Sequence, residues 1–194
     1  MKRIFLFSLL PVLTIGALPS FAATPEAASV SGGKINFSGS VIAAPCAVDN
    51  SSDGQNVALG QIATNQLATK GSVGSAVPFT IKLVGCDLSP QAGAAEETTN
   101  YTKASITFSG ATIDATTLGL TANGAGQQPA KNVGIQIFHA NKALNVDGTS
   151  SSTAQAIVAG ENEIPFTATY VATDNAGATA GSANSSVNFK VNYL

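Results

Sequence analysis

An antiparallel β-sandwich of immunoglobulin-like type is the fold this sequence predicts, and three observations predict it. Apolar residues alternate with polar ones in seven or so short runs, which is the period of half-buried strands. Turn-forming clusters such as Asn50-Ser51-Ser52-Asp53-Gly54, Asn123-Gly124 and Asp147-Gly148 separate the runs. Charged residues make up only 10% of the chain, Gly, Ala, Ser, Thr and Asn crowd the gaps, and helical spacing is rare. Many short strands in one chain of 194 residues, enough for one domain with a real core, suit two packed antiparallel sheets.

The first segment stands apart from the fold. Lys2 and Arg3 form a positive head, residues 4–18 are almost wholly apolar, and Ser20-Phe21-Ala22 places small residues where a signal peptidase reads. Residues 1–22 are therefore expected to be a secretory signal peptide. A membrane helix is the competing reading. It fits poorly, because the apolar run is shorter than the ~20 residues a span needs. Residues 23–33, with Pro25, Glu26 and a Gly pair, are expected to be an unstructured lead.

The strand-like runs follow in order. Ile35, Phe37, Gly39 and Val41 alternate with Asn36, Ser38 and Ser40. Val57 and Leu59 share a face, and residues 62–68 have room for a helical turn or two. Val77, Phe79, Ile81 and Leu83 form the next set, then Ile106 with Phe108, then Val133, Ile135 and Ile137. Ile164, Phe166, Ala168 and Tyr170 precede the last run, Val187, Phe189, Val191 and Tyr193, which alternates with Asn188, Lys190 and Asn192. No 20–50-residue repeat and no interior linker divide the chain, so one domain is expected after the lead.

Composition narrows the function. Loss of residues 1–22 removes the only Arg and leaves seven Lys against 11 acidic residues. A mildly acidic chain without Arg is a poor partner for nucleic acid or an anionic membrane, both of which need clustered basic groups. Two cysteines, Cys46 and Cys86, in an exported chain are expected to form one disulfide. A metal site is the weaker alternative, since two Cys and one distant His lack any ligand spacing.

Parts for catalysis are missing. His139 is the only histidine. A triad needs a base oriented by a carboxylate beside a nucleophile, and no Gly-x-Ser-x-Gly elbow occurs. His139 is expected at the surface or a strand end. Glu96-Glu97 sit in a polar stretch and suggest a solvated loop rather than a glycosidase pair. Glu161 and Glu163 flank a strand start and read as turn charges. Asn50-Ser51-Ser52, Asn100-Tyr101-Thr102 and Asn184-Ser185-Ser186 match the glycosylation pattern, by chance in this reading, and Gly124-x-Gly126 lacks the context of a phosphate loop. No cofactor, metal or small-molecule substrate is expected.

The two ends carry the strongest signal. Both are strand-like and apolar on one face, whereas terminal segments are usually polar and frayed. The last run reads equally well as an edge strand of a complete sandwich or as a strand for a partner. Several motifs then carry a resemblance over essentially the whole chain after residue 22: residues 32–42 (GGKINFSGSVI), 44–48 (APCAV), 59–62 (LGQI), 79–86 (FTIKLVGC), 132–137 (NVGIQI) and 164–170 (IPFTATY), with Tyr193 next to last and Gly181 fourteenth from the end. In order and spacing they resemble the chaperone–usher pilin family, and within it the major subunits of type 1 fimbriae.

The resemblance implies an incomplete immunoglobulin-like β-sandwich, a pilin fold completed by a donor strand from a neighbouring subunit. It divides the chain into signal peptide 1–22, N-terminal extension and donor strand 23–41, and pilin domain 42–194. It implies that Ile35, Phe37, Gly39 and Val41 enter successive pockets of the next subunit, with Gly39 small because a side chain there would clash. Val187, Phe189, Val191, Tyr193 and Leu194 are implied to line the groove and meet a periplasmic chaperone, with the Leu194 carboxylate as anchor and Tyr193 as a partner contact rather than only a core aromatic. Gly181 is the family's C-terminal glycine. The implied partners are identical subunits in a head-to-tail polymer, the periplasmic chaperone, an outer-membrane usher and tip subunits, on a route through the periplasm to a cell-surface fimbrium that supports adhesion. A minor adaptor or tip-associated subunit is the alternative. A tip adhesin with a sugar site is disfavoured, because the chain is too short for a lectin domain and has 6% aromatic residues with no Trp. An exported enzyme is the third and least favoured reading.

Overall fold

The alternating runs become strands wherever a neighbour exists to pair with them. The computed structural model describes residues 30, 32–90, 100–122 and 128–194. In chain order the strands are β1 (Ala47–Val48), β2 (Val77–Cys86), β3 (Lys103–Gly110), β4 (Thr112–Asp114), β5 (Thr117–Leu118), β6 (Val133–His139), β7 (Lys142–Ala143), β8 (Asp147–Ser151), β9 (Gln155–Ala156), β10 (Gly160–Ala172) and β11 (Val187–Tyr193). One 3₁₀ turn, Thr64–Leu67, falls where a helical turn was expected. Packing separates the chain at Gly39 and Ser40, and every strand among the described residues lies in residues 40–194.

Two antiparallel sheets result. The first runs β1-β2-β10-β6-β5-β4, with β7 folded back on β6; the second runs β11-β3-β8, with β9 on β3. The long strand β10 serves two neighbours, pairing with β2 from Gly160↔Cys86 to Ala168↔Val77 and with β6 from Thr167↔Phe138 to Ala172↔Val133. Pro165 falls where β10 has outrun β6, so its missing N–H leaves no ladder bond unmade. His139 and Lys142 close the β6–β7 hairpin around Ala140 and Asn141, whose positive φ values of 49° and 62° suit a tight turn matched to strand twist.

The core lies between the sheets. Ile81, Leu83, Ile106, Phe108, Ile164 and Phe166 are all buried, each from a run that alternates in sequence. Phe166 stacks on Phe79 at 5.5 Å between ring centroids and meets the Phe108 ring edge-on at 5.2 Å. Aromatic pairs in these geometries add stability beyond the area they bury.

Several expectations are corrected. Residues 57–59 alternate as strands do, yet pair with no strand among the described residues, and residues 35–41 are not in a strand of the isolated chain. Asp147-Gly148 opens β8 instead of making a turn; all five residues of β8 are exposed, so no apolar alternation marked it. Glu161 and Glu163 lie inside β10, and Glu163 pairs across the ladder with Lys82 (Oε1–Nζ 3.0 Å). The calls on residues 1–22, on Glu96-Glu97, on Asn123-Gly124 and Gly124-x-Gly126, and most of the 23–33 lead lie outside the described residues.

Candidate functional site

One wall of the site is the stretch that follows β1. Asp49 N–H donates to the Lys82 carbonyl (3.0 Å), and the buried Ser52 hydroxyl accepts from the Lys82 N–H (2.9 Å). Among the described residues these are the last ties to that edge of β2. The Asp49 carboxylate accepts from both the hydroxyl and the backbone N–H of Ser51, and these two bonds, the hydroxyl's first, hold its carboxyl below the usual range. The turn they stabilise carries the chain off β2. Leu59 then packs against the core and Val57 is half-buried, neither of them in a ladder.

The other wall is β11. Val187, Phe189, Val191 and Tyr193 turn toward the core and are half-buried, whereas Asn188 and Lys190 are exposed. Leu194 and Lys103 exchange both backbone bonds, at 2.9 and 3.0 Å. In an antiparallel ladder such pairs recur at every second residue. Residues 188, 190 and 192 therefore bond to β3, and the N–H and C=O groups of Val187, Phe189, Val191 and Tyr193 point to the other side. Among the described residues no strand pairs with β11 there.

Between the walls the core lies uncovered. A cavity of about 410 Å³ is lined by Val57 and Leu59 from one wall, Val187 and Phe189 from the other, and Phe79 and Phe108 from the floor. A second, of about 400 Å³, continues between residues 60–67 and residues 178–184. Among the described residues, no Asp, Glu, Lys, Arg or His lines either one. The groove therefore offers apolar surface beside a row of unpaired backbone groups, the chemistry that accepts an extended apolar segment.

The predicted residues fall as follows. Cys46 and Cys86 form the disulfide. The Tyr193 hydroxyl donates to the Cys46 carbonyl at 3.0 Å, and burial pushes its pKa up to about 12. Leu194 O accepts from the N–H groups of Thr102 and Lys103. Gly181 lies in the second cavity's wall against Pro129 and Ala130. Ile35, Phe37 and Val41 are 78%, 92% and 103% exposed, and a Cβ on Gly39 would meet nothing within 4 Å. His139 ends β6, its ring 5.1 Å from that of Phe166, and its buried Nδ1 has no hydrogen-bond partner among the described residues. Sequence reasoning did not single out Ser52 or the floor residues Phe79 and Phe108 as site residues. Their alternation announces burial, and nothing in it distinguishes a covered core position from an uncovered one.

Fold and groove together define a class: a two-sheet all-β sandwich with one strand edge left open over its own core. The chain belongs to the fimbrial protein family, whose model, described as "Fimbrial protein", matches residues 35–194. It is 41% identical over 186 residues to the type-1 fimbrial protein A chain of Escherichia coli K12, covering 94% of each chain, and 41% identical over the same shares to a type 1 fimbrial subunit of Klebsiella pneumoniae. Among solved structures it resembles the P pilus rod subunit PapA, with a TM-score of 0.63, 25% identity, and coverage of 78% of this chain and 100% of that one. It also resembles a chaperone–usher pilus subunit from a study of rod uncoiling, with a TM-score of 0.64, 26% identity, and coverage of 87% and 100%.

Proposed function

We propose that this chain is the repeating structural subunit of an adhesive surface fimbria and that it polymerises by donor-strand exchange. Residues 35–41 of one subunit enter the groove of the next, pair with the open edge of β11, and seat Ile35, Phe37 and Val41 over the uncovered core. One observation carries this reading: the same chain holds an exposed apolar stripe and an uncharged apolar groove beside an open strand edge. Donor stripe and β11 each span seven residues, about 20 Å when extended. Each large side chain moved from water into the groove contributes about 1.5–3 kcal/mol. A donor and an acceptor on opposite parts of one chain make a head-to-tail contact that does not close, which gives a filament.

The remaining roles follow from this arrangement. Residues 1–22 direct export, and residues 23–34 lead into the donor strand. A periplasmic chaperone covers the groove before assembly, contacting β11 and anchoring Leu194; an outer-membrane usher exchanges it for the next extension; tip subunits cap the fibre. The role is structural rather than catalytic.

Negative-stain microscopy of mature protein co-expressed with its chaperone tests the reading, against a variant lacking residues 23–40. Filaments from the first and chaperone-bound monomers from the second are expected. A truncated chain that polymerises, or that folds stably without chaperone, would sink it.

A further inference from the structure

The groove is open along its length and tied at both ends. Among the described residues, two hydrogen bonds join the wall of residues 46–67 to the wall of residues 178–193. The Ala178 N–H donates to the Leu67 carbonyl at 3.0 Å, and the Tyr193 hydroxyl donates to the Cys46 carbonyl at 3.0 Å. Both cavities lie between these ties.

The two ties differ in kind. The first joins backbone to backbone, next to Gly177, where a Cβ would stand 3.2 Å from the Ala68 carbonyl oxygen. The second is made by one side chain that reaches across the sandwich. Both of its feet are fixed. Cys46 is held by its disulfide to Cys86 and by β1 pairing with β2. Tyr193 is held by its ladder position opposite Ala104, by the Leu194 bonds to residues 102 and 103, and by the edge of the Tyr101 ring at 6.1 Å.

We infer that Tyr193 is a positioning strut: its hydroxyl, through the Cys46 carbonyl and the disulfide behind it, sets the spacing of the groove walls and so the register in which a donor strand seats. The inference rests on the donor-strand reading and adds a role for a residue that need not touch the donor. Since the carbonyl's position depends on the disulfide, the strut's effect is coupled to it. A wall free to shift would let the donor slip or leave, and period-2 geometry makes any one-residue slip turn Asn36 and Ser38 inward.

The test uses filaments of the full mature chain: wild type, Tyr193→Phe and Tyr193→Leu, each with the cysteines intact and with Cys46→Ala/Cys86→Ala. Subunit loss at a fixed urea concentration is timed. With the disulfide present, Tyr193→Phe is expected to speed loss about three- to tenfold, the range for one net hydrogen bond. Without the disulfide, Tyr193→Phe should add nothing. A silent Tyr193→Phe beside a costly Tyr193→Leu would reduce Tyr193 to core filling. An equal penalty in both backgrounds would mean that the hydroxyl acts on the donor directly. Should the cysteine-free chain fail to assemble, urea midpoints of the soluble subunit purified with its chaperone decide, read for wild type and Tyr193→Phe in both backgrounds. A Tyr193→Phe penalty confined to the disulfide-containing chain supports the strut, and no penalty, or an equal one in both backgrounds, overturns it. Failure of wild-type protein to form filaments would count against donor-strand exchange alone, because the midpoints of the soluble subunit read the strut without filaments.

Discussion

The backbone at Gly181 runs so close to Ala130 that a Cβ on Gly181 would stand 2.8 Å from the Ala130 Cα. The approach is held in place by the Ala130 N–H, which donates to the Ser182 carbonyl at 2.8 Å, and by the Pro129–Ser182 bridge. Gly181 is thus a steric requirement of this chain's own fold, in the segment that leads into β11.

Gly181→Ala should therefore push residues 129–130 away from 181–182 and disturb the second cavity's wall. Overpacking of this kind costs about 1–3 kcal/mol. The expected outcome is a lower urea midpoint for filaments and a smaller yield of chaperone-bound subunit. Unchanged midpoint and yield would show that the wall gives way freely.

The disulfide closes a loop with a sequence separation of 40. Chain-entropy estimates for such a loop give roughly 3–4 kcal/mol. Cys46→Ala/Cys86→Ala should lower unfolding free energy by about that amount, read from denaturant curves at matched slope. It should also free β1, whose one strand neighbour among the described residues is β2.

Phe37 is 92% exposed in the isolated chain, so Phe37→Ala should leave the thermal stability of the chaperone-bound subunit unchanged. In the filament the same side chain is expected to be buried, where Phe→Ala typically costs about 3–5 kcal/mol. Filaments of the variant should shed subunits at least a hundredfold faster. Equal loss rates in variant and wild type would remove Phe37 from the joint.

Gly39→Leu separates the two molecules in the same way. A Cβ at 39 meets nothing within the chain, so the monomer should tolerate it. Only a neighbour's groove floor can object. Assembly followed by light scattering should be blocked while chaperone binding persists, and normal assembly would mean that Gly39 does not face that floor.

Tyr193 predicts an alkaline limit to stability. Its folded pKa is raised from 10.0 to about 12 by burial. The unfolded chain therefore loses its phenol proton first, so the stabilisation is present in full below pH 10 and is lost as pH rises from 10 toward 12. Filament urea midpoints should fall over that window, and Tyr193→Phe should show a shallower fall. Burial also raises Tyr170, so part of the decline should remain.

Much of the fold was legible in the residues. The sets Val77–Leu83, Ile106–Phe108, Val133–Ile137, Ile164–Tyr170 and Val187–Tyr193 all lie in ladders, because one buried face imposes a period of two. Strands β4 and β8 were not legible, since their residues are exposed on both faces and no apolar alternation marks them. Gly181 was visible only as a family feature; the approach of Ala130 supplies its physical reason.

The stripe of residues 35–41 and the groove illustrate the division most sharply. Local alternation by itself determined that Ile35, Phe37 and Val41 share a face, that Val187, Phe189, Val191 and Tyr193 share another, and that charge is absent from both. Whether such a face is covered depends on which strands become neighbours, a matter of contacts far apart in the chain. Only the tertiary structure decided that the first stripe stays exposed, that β11 keeps one edge unpaired, and that Tyr193 reaches the Cys46 carbonyl across the gap. Backbone hydrogen bonds carry no side-chain signature, so an open edge and a closed one are written in the same residues.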